Sequence, residues 1–150
     1  KFIFMKKVFS IPLLIIGYTM IVLGVRWMIV DEPWMLDQVA NEERLNMTFD
    51  QLFSYEINNT LPDYLKQIYR FFGLWVIIIG LFITSLSREN ISKDSIIRII
   101  ILICVGIMCY SGLILVYVWI PSSPFLYLAY GMILLHLVSV YGHINFNKKT

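Results

Sequence analysis

Four long apolar stretches, separated by clusters of charge, are the feature that most limits how this chain can fold. Only 15% of its 150 residues are charged and 59% are apolar, whereas a soluble domain carries about a quarter charged residues. The gaps between the charged clusters match the roughly 20 residues that a helix needs to cross a bilayer. The pattern therefore predicts an all-α polytopic membrane protein with four transmembrane helices.

The predicted spans form a single transmembrane domain over 1–150 and cover about 8–30, 66–87, 95–120 and 124–142. The large polar segment, 31–65, is mostly acidic and lies between the first two spans. A structureless loop of this length would be unusual, so short amphipathic helices are predicted within it. Thr48 and Gln51 have the spacing of a capping box, which predicts a helix beginning there.

The distribution of basic residues predicts the orientation. Cytoplasmic segments of membrane proteins carry an excess of Lys and Arg. The N-terminus, the connection between the second and third spans and the C-terminus are rich in these residues: Lys1, Lys6, Lys7, Arg88, Lys93, Arg98, Lys148 and Lys149. Both termini are therefore predicted to face the cytoplasm, with the acidic segment on the outer side.

Glycines recur on helix faces where another helix could approach. In lipid, small residues allow helix backbones to pack closely. We interpret these glycines as helix-packing positions inside the four-helix unit, and the alternative is a groove for a lipid tail or a partner helix. The positions are Gly17, Gly24, Gly73, Gly80, Gly106 and Gly112.

Arg26 and Arg70 lie near the outer ends of adjacent predicted helices, and Trp27 and Trp75 map to the same interface. Arginines at such positions snorkel to the interface or pair with nearby carboxylates. The alternative is a two-arginine clamp for a lipid phosphate or a carboxylate, which Arg can bind in a bidentate way. These four residues are candidate binding residues.

His136 is the one titratable residue that lies well inside a predicted span. An ionisable group at this depth predicts a functional site, such as a proton relay or a ligand contact. The alternative is a structural hydrogen bond from a neutral imidazole. No metal site is predicted, because no Cys or carboxylate has a ligand spacing to His136. No cofactor is predicted, and a basic run with interleaved aromatics, which nucleic-acid binding would favour, is missing.

The second span opens with Arg70-Phe71-Phe72-Gly73 and continues to Gly80, the third contains Gly106 and Gly112, and Pro124 opens the fourth. In these residues, over roughly the last 80 positions, the layout resembles the small four-helix bacterial membrane proteins of the DoxX-like and related uncharacterised families. The resemblance implies a four-helix membrane fold. Together with the Ile-, Asn- and Lys-rich composition, it favours a bacterial inner (plasma) membrane.

Three functions stay open at this point. The spans contain no Asp or Glu, Ser-His-Asp set or CxxC motif. This favours a non-enzymatic subunit that stabilises a larger membrane complex, with the bilayer and another membrane protein or a second copy as partners. The first alternative is a lipid-handling enzyme or carrier that uses Arg26 and Arg70 for a headgroup and His136 for acid–base chemistry. The second alternative is a membrane sensor whose outer segment binds a ligand.

Overall fold

The computed structural model describes residues 2–88 and 90–146, which are helical and contain no strand. Lys1, Lys148 and Lys149, which entered the charge argument, lie outside the described residues. The α-helices are α1 (Phe2–Ile29), α2 (Gln38–Leu45), α3 (Phe49–Ser54), α4 (Leu61–Leu86), α5 (Ser95–Trp119) and α6 (Phe125–Phe146). Four of them, α1, α4, α5 and α6, are long and apolar enough to cross a membrane.

Two helices extend beyond their predicted spans at the same end of the bundle. α1 begins at Phe2 rather than near residue 8, and α6 continues to Phe146 rather than ending near residue 142. α1 and α6 pack closely at this end: Met5 and Phe9 of α1 are buried, a Cβ on Gly142 would lie 2.6 Å from the Phe9 backbone nitrogen, and the His143 ring lies 6.3 Å from that of Phe9. Tertiary packing thus stabilises turns that hydropathy did not include.

The helices are arranged in the spatial order α4, α1, α6, α5. α1 packs along α4 on one side and along α6 on the other, and α5 packs mainly on α6. α4 and α5 touch at only a few points, although sequential elements joined by a short connection are usually neighbours. The bundle is therefore open along the side between α4 and α5.

Two pairs of glycines bring α1 and α4 together. Gly24 faces Gly73, and Gly17 faces Gly80, so that an added Cβ on either Gly73 or Gly80 would lie 2.7 Å from the opposing glycine's carbonyl oxygen. The glycines are seven residues apart on both antiparallel helices, so contact occurs at two levels. We call this contact the glycine seam. At these positions the backbones of α1 and α4 are closer together than they could be if the residues carried side chains.

Residues 30–60 form a cap over one end of the bundle. The predicted capping box is confirmed: Gln51 N donates to Thr48 Oγ1, and Thr48 N donates to Gln51 Oε1. Trp34 is buried and packs against the rings of Phe49 and Phe53. This aromatic cluster gives the cap a small apolar core of its own.

The cap is attached to the turn between α5 and α6. Ser123 Oγ donates a 2.9 Å hydrogen bond to Asp37 Oδ2, and Ser122 Oγ donates to Glu43 Oε2. Ser123 Oγ also accepts from Phe125 N, in the first turn of α6. The cap therefore contacts a turn that is about 80 residues away in the sequence. The end of the bundle that it covers is called the cap end below.

Candidate functional site

An apolar cleft between α4 and α5 is the main candidate site. Its half away from the cap has a volume of about 400 Å³. Aliphatic and sulfur-containing side chains form its walls, together with one phenylalanine ring. They include Phe82, Ile83 and Leu86 of α4 and Ile101, Cys104 and Met108 of α5.

The cleft continues toward the cap as a second space of about 230 Å³. Residues of all four long helices line this space, more of them from α1, α5 and α6 than from α4, and Met108 of α5 lines both halves. Along α5 the cleft runs from Ile100 to Val116, about 24 Å at the rise of an α-helix. The hydrocarbon core of a bilayer is about 30 Å thick. The cleft is thus nearly as long as the hydrocarbon core of a bilayer is thick.

Gly112 lies in the wall of this cleft and does not pack against another helix. A Cβ added to Gly112 would meet nothing within 4 Å, which differs from the helix-packing role predicted from its sequence. The reason is the opening between α4 and α5, which leaves this face of α5 without a neighbour inside the chain. Cys104, eight residues earlier, is also exposed along the cleft.

His136 is buried between α5 and α6, and both ring nitrogens have partners. Nε2 lies 2.9 Å from Leu102 O, and Nδ1 lies 3.2 Å from the Tyr110 hydroxyl. A carbonyl can only accept, so Nε2 carries the hydrogen in this arrangement and Nδ1 accepts from Tyr110. Gly106 makes room for the ring, because its added Cβ would lie 3.1 Å from His136 Cε1. Gly106 therefore accommodates a histidine side chain.

The candidate arginines do not form a clamp. Arg26 lines a space with Trp27 and Phe125, whereas Arg70 lines a different groove on α4. Neither arginine makes a hydrogen bond or an ion pair with any residue in the described ranges. The predicted pairing of these arginines with nearby carboxylates is therefore not seen there.

The tryptophans of the same prediction also separate. Trp27 lies between α4 and α6, with its ring 5.0 Å from that of Phe72 and 5.4 Å from that of Phe125. Trp75 is exposed on α4 and touches the ring of Phe71. Trp27 thus packs between helices, whereas Trp75 lies on the outer surface of the bundle.

The groove at Arg70 lies at the cap end and has a volume of about 470 Å³. It contains Lys66, whose Nζ lies 3.0 Å from Asp31 Oδ1. The hydrogen bond from Lys66 and its charge lower the pKa of the exposed Asp31 carboxyl, and the charge of Arg70 adds a smaller contribution. The groove thus combines a paired lysine with an arginine that has no bonded partner in the described chain.

A buried arginine at the opposite end was not singled out from the sequence. Arg98 is 1% exposed and donates from Nη1 to the carbonyls of Ser92 (2.9 Å) and Lys93 (2.8 Å). Its Nε donates to His143 Nδ1 at 3.2 Å. Arg98 therefore fixes the α4–α5 connection onto α6. The sequence does show an arginine in the first turn of an apolar helix. It was counted only as one of the basic residues that predict the cytoplasmic side.

Groups of three or more metal-ligating side chains do not occur within the described residues. No protein-family model, curated protein or solved structure matches the chain. The resemblance to the DoxX-like proteins stays a prediction.

Proposed function

We propose that this protein is a small non-enzymatic membrane subunit that stabilises a larger membrane complex. In this proposal, the α4–α5 cleft receives one transmembrane helix of a partner protein. The observation that supports it is the length of the cleft, which is close to the thickness of the hydrocarbon core of a bilayer. A lipid tail reaches only from one surface to the midplane, about 15 Å. A helix is the occupant that matches the whole length.

The α5 wall of the cleft has the composition of a helix-packing surface. Cys104, Met108 and Gly112 are spaced by four residues and share one face of α5. Small residues at this spacing let a second backbone approach, and Met adapts its shape to its neighbour. This supports a partner whose contact face fits closely along α5.

The polar side chains inside the bundle support a structural rather than a catalytic role. His136 uses both ring nitrogens in contacts between α5 and α6. Arg26 and Arg70 line different grooves, and His136 is buried between α5 and α6. The lipid-handling alternative would need them to act on one molecule.

We also propose that both termini face the cytoplasm of a bacterium, with the cap on the outer side of the inner membrane. The exposed Arg88 and Lys93 support this orientation, because they lie at the end of the bundle opposite the cap. The proposed partner helix would then enter the cleft from within the same bilayer.

The substitution Gly112→Leu tests the proposed helix contact. Its Cβ meets no atom within 4 Å, so the chain should fold while the new side chain fills the cleft. We expect the amount of partner that copurifies in mild detergent to fall about tenfold or more relative to the wild type. A steric cost of about 1.4 kcal/mol in the binding free energy would produce this decrease. Quantitative mass spectrometry of the purified complex measures this.

Gly131→Leu is the matched control, because its Cβ also meets nothing within 4 Å but it lies on the exposed side of α6. A photo-reactive residue at Cys104 should crosslink to the same partner, and one at the exposed Ile114 should not. Equal recovery of the partner with Gly112→Leu and Gly131→Leu would contradict the proposal, as would equal crosslinking from both positions.

A further inference from the structure

We propose that the α4 groove at the cap end binds a phospholipid of the adjoining leaflet. Arg70 and Lys66 would hold its phosphodiester, and Phe71 and Leu74 would contact an acyl chain. This site lies on a different face of α4 from the cleft proposed for the partner helix: the two share no lining residue. The inference is therefore independent of the proposed function.

The groove follows one stripe of α4. Its residues are separated by three or four positions, which places them on one face of the helix. The stripe covers about 16 Å along the axis, close to the depth of one leaflet. In order from the cap, the lining residues on α4 are Asp63, Lys66, Gln67, Arg70, Phe71 and Leu74.

The stripe is polar near the cap and apolar farther from it, as a phospholipid is polar at its headgroup and apolar along its acyl chains. Charged and amide side chains occupy its first half, and Phe71 and Leu74 follow, with Met28 of α1 beside them. Phe71 is 63% exposed and Leu74 is 41% exposed, so both are open to an acyl chain. A free phosphate ion would make no use of this apolar part, and this is why we infer a lipid.

Lys66 and Arg70, the two basic side chains in the groove, fit a phosphodiester, and the Asp63 carboxylate lies one turn nearer the cap. The Arg70 guanidinium has no hydrogen bond or ion pair within the described chain, and a guanidinium binds phosphate oxygens in a bidentate way. Lys66 donates to Asp31, whose side chain is 91% exposed. The Asp31 carboxylate therefore competes with a bound phosphate for Lys66 at the surface.

Two substitutions should change lipid binding in opposite directions. Arg70→Gln removes the bidentate contact, and we expect the apparent affinity for phosphatidylethanolamine to fall about tenfold or more. Asp31→Asn releases Lys66 from its partner, and we expect retention of the same lipid to increase. Arg44→Gln is the control, because Arg44 is exposed on α2 and does not line the groove.

The measurement is native mass spectrometry of the purified full chain, titrated with phosphatidylethanolamine or with diacylglycerol of the same acyl chains. We expect weaker retention of diacylglycerol, which lacks the phosphate, and no effect of Arg70→Gln on it. Circular dichroism checks that each variant is folded.

Retention of phosphatidylethanolamine that is the same in the wild type and the Arg70→Gln variant would overturn the proposal. Equal binding of the two lipids by the wild type would also overturn it, as would a wild-type protein that retains no phospholipid. Displacement by millimolar inorganic phosphate alone would show that the site binds free phosphate rather than a lipid.

Discussion

His136 illustrates how a polar side chain is accommodated between apolar helices. Its ring joins Leu102 O and the Tyr110 hydroxyl of α5 to α6, and it occupies space that Gly106 leaves open. Hydrogen bonds between membrane helices are worth about 0.6 kcal/mol on average. The geometry is therefore that of a structural link, with no nitrogen left for a ligand.

Replacing His136 with leucine should lower stability by about 1 kcal/mol, since it removes two such hydrogen bonds without emptying the site. Tyr110→Phe removes only one of them and should have about half that effect. Thermal unfolding in detergent, followed by circular dichroism, gives both values. A loss of association with the proposed partner at unchanged stability would instead contradict a purely structural role for this residue.

Asp37 is a second residue whose environment has a measurable consequence. Burial raises the pKa of its carboxyl above 3.8, and the hydrogen bond from Ser123 opposes this in part. Its Oδ1 atom is buried and has no hydrogen-bond partner in the described chain. The folded protein therefore binds this proton more tightly than the unfolded chain does.

The free energy of unfolding should consequently contain a contribution from Asp37 that falls as pH rises from about 3.8 through the raised pKa. In Asp37→Asn this contribution is removed. We expect the stability of Asp37→Asn relative to the wild type to increase between pH 4 and pH 7, measured by thermal unfolding in detergent. Asp50→Asn, at an exposed position on α3, is the control. A constant difference would show that Asp37 does not titrate differently in the fold.

At the scale of elements, the glycine seam joins the two helices that share the longest contact. Gly24 and Gly73 meet at one level, and Gly17 and Gly80 meet at the other. The seam was predictable in part, because the seven-residue spacing is visible on each helix. Gly142 was not predicted, since its role depends on Phe9, which is distant in sequence and lies beside it only in the folded bundle.

Gly80→Ala should destabilise the bundle by about 1–3 kcal/mol, because its Cβ would lie 2.7 Å from Gly17 O and would force α1 and α4 apart. Gly131→Ala meets nothing within 4 Å and should leave stability unchanged or slightly raise it. Thermal unfolding in detergent distinguishes the two variants. If both behaved alike, close approach at Gly80 would not contribute to stability.

Which face of each span is buried could not be predicted from the sequence. Ile96 is 67% exposed and Ile101 is 2% exposed, although both are isoleucines of α5. In lipid, an outward-facing side chain can be as apolar as a buried one, so hydropathy identifies the spans without identifying their inner faces. Neither the separation of Arg26 from Arg70 nor the opening of the cleft was accessible from the pattern. Both depend on which helices are neighbours.

For the whole molecule, the spatial order α4, α1, α6, α5 explains both proposals. α4 contacts α1 closely on one side, and its other faces line the cleft and the polar groove. The cap covers one end and contacts the turn between α5 and α6, so the two helices that flank the cleft are linked there through other elements.

This order also has a consequence for biosynthesis. The contact between α1 and α4 can form once residues up to Leu86 have left the ribosome, but α5 packs mainly on α6, which is made after it. Until α6 has been made, α5 has no closely packed neighbour from the described chain. During that interval, a membrane insertase or the proposed partner could shield α5, and a truncation within α6 would leave α5 in this exposed state.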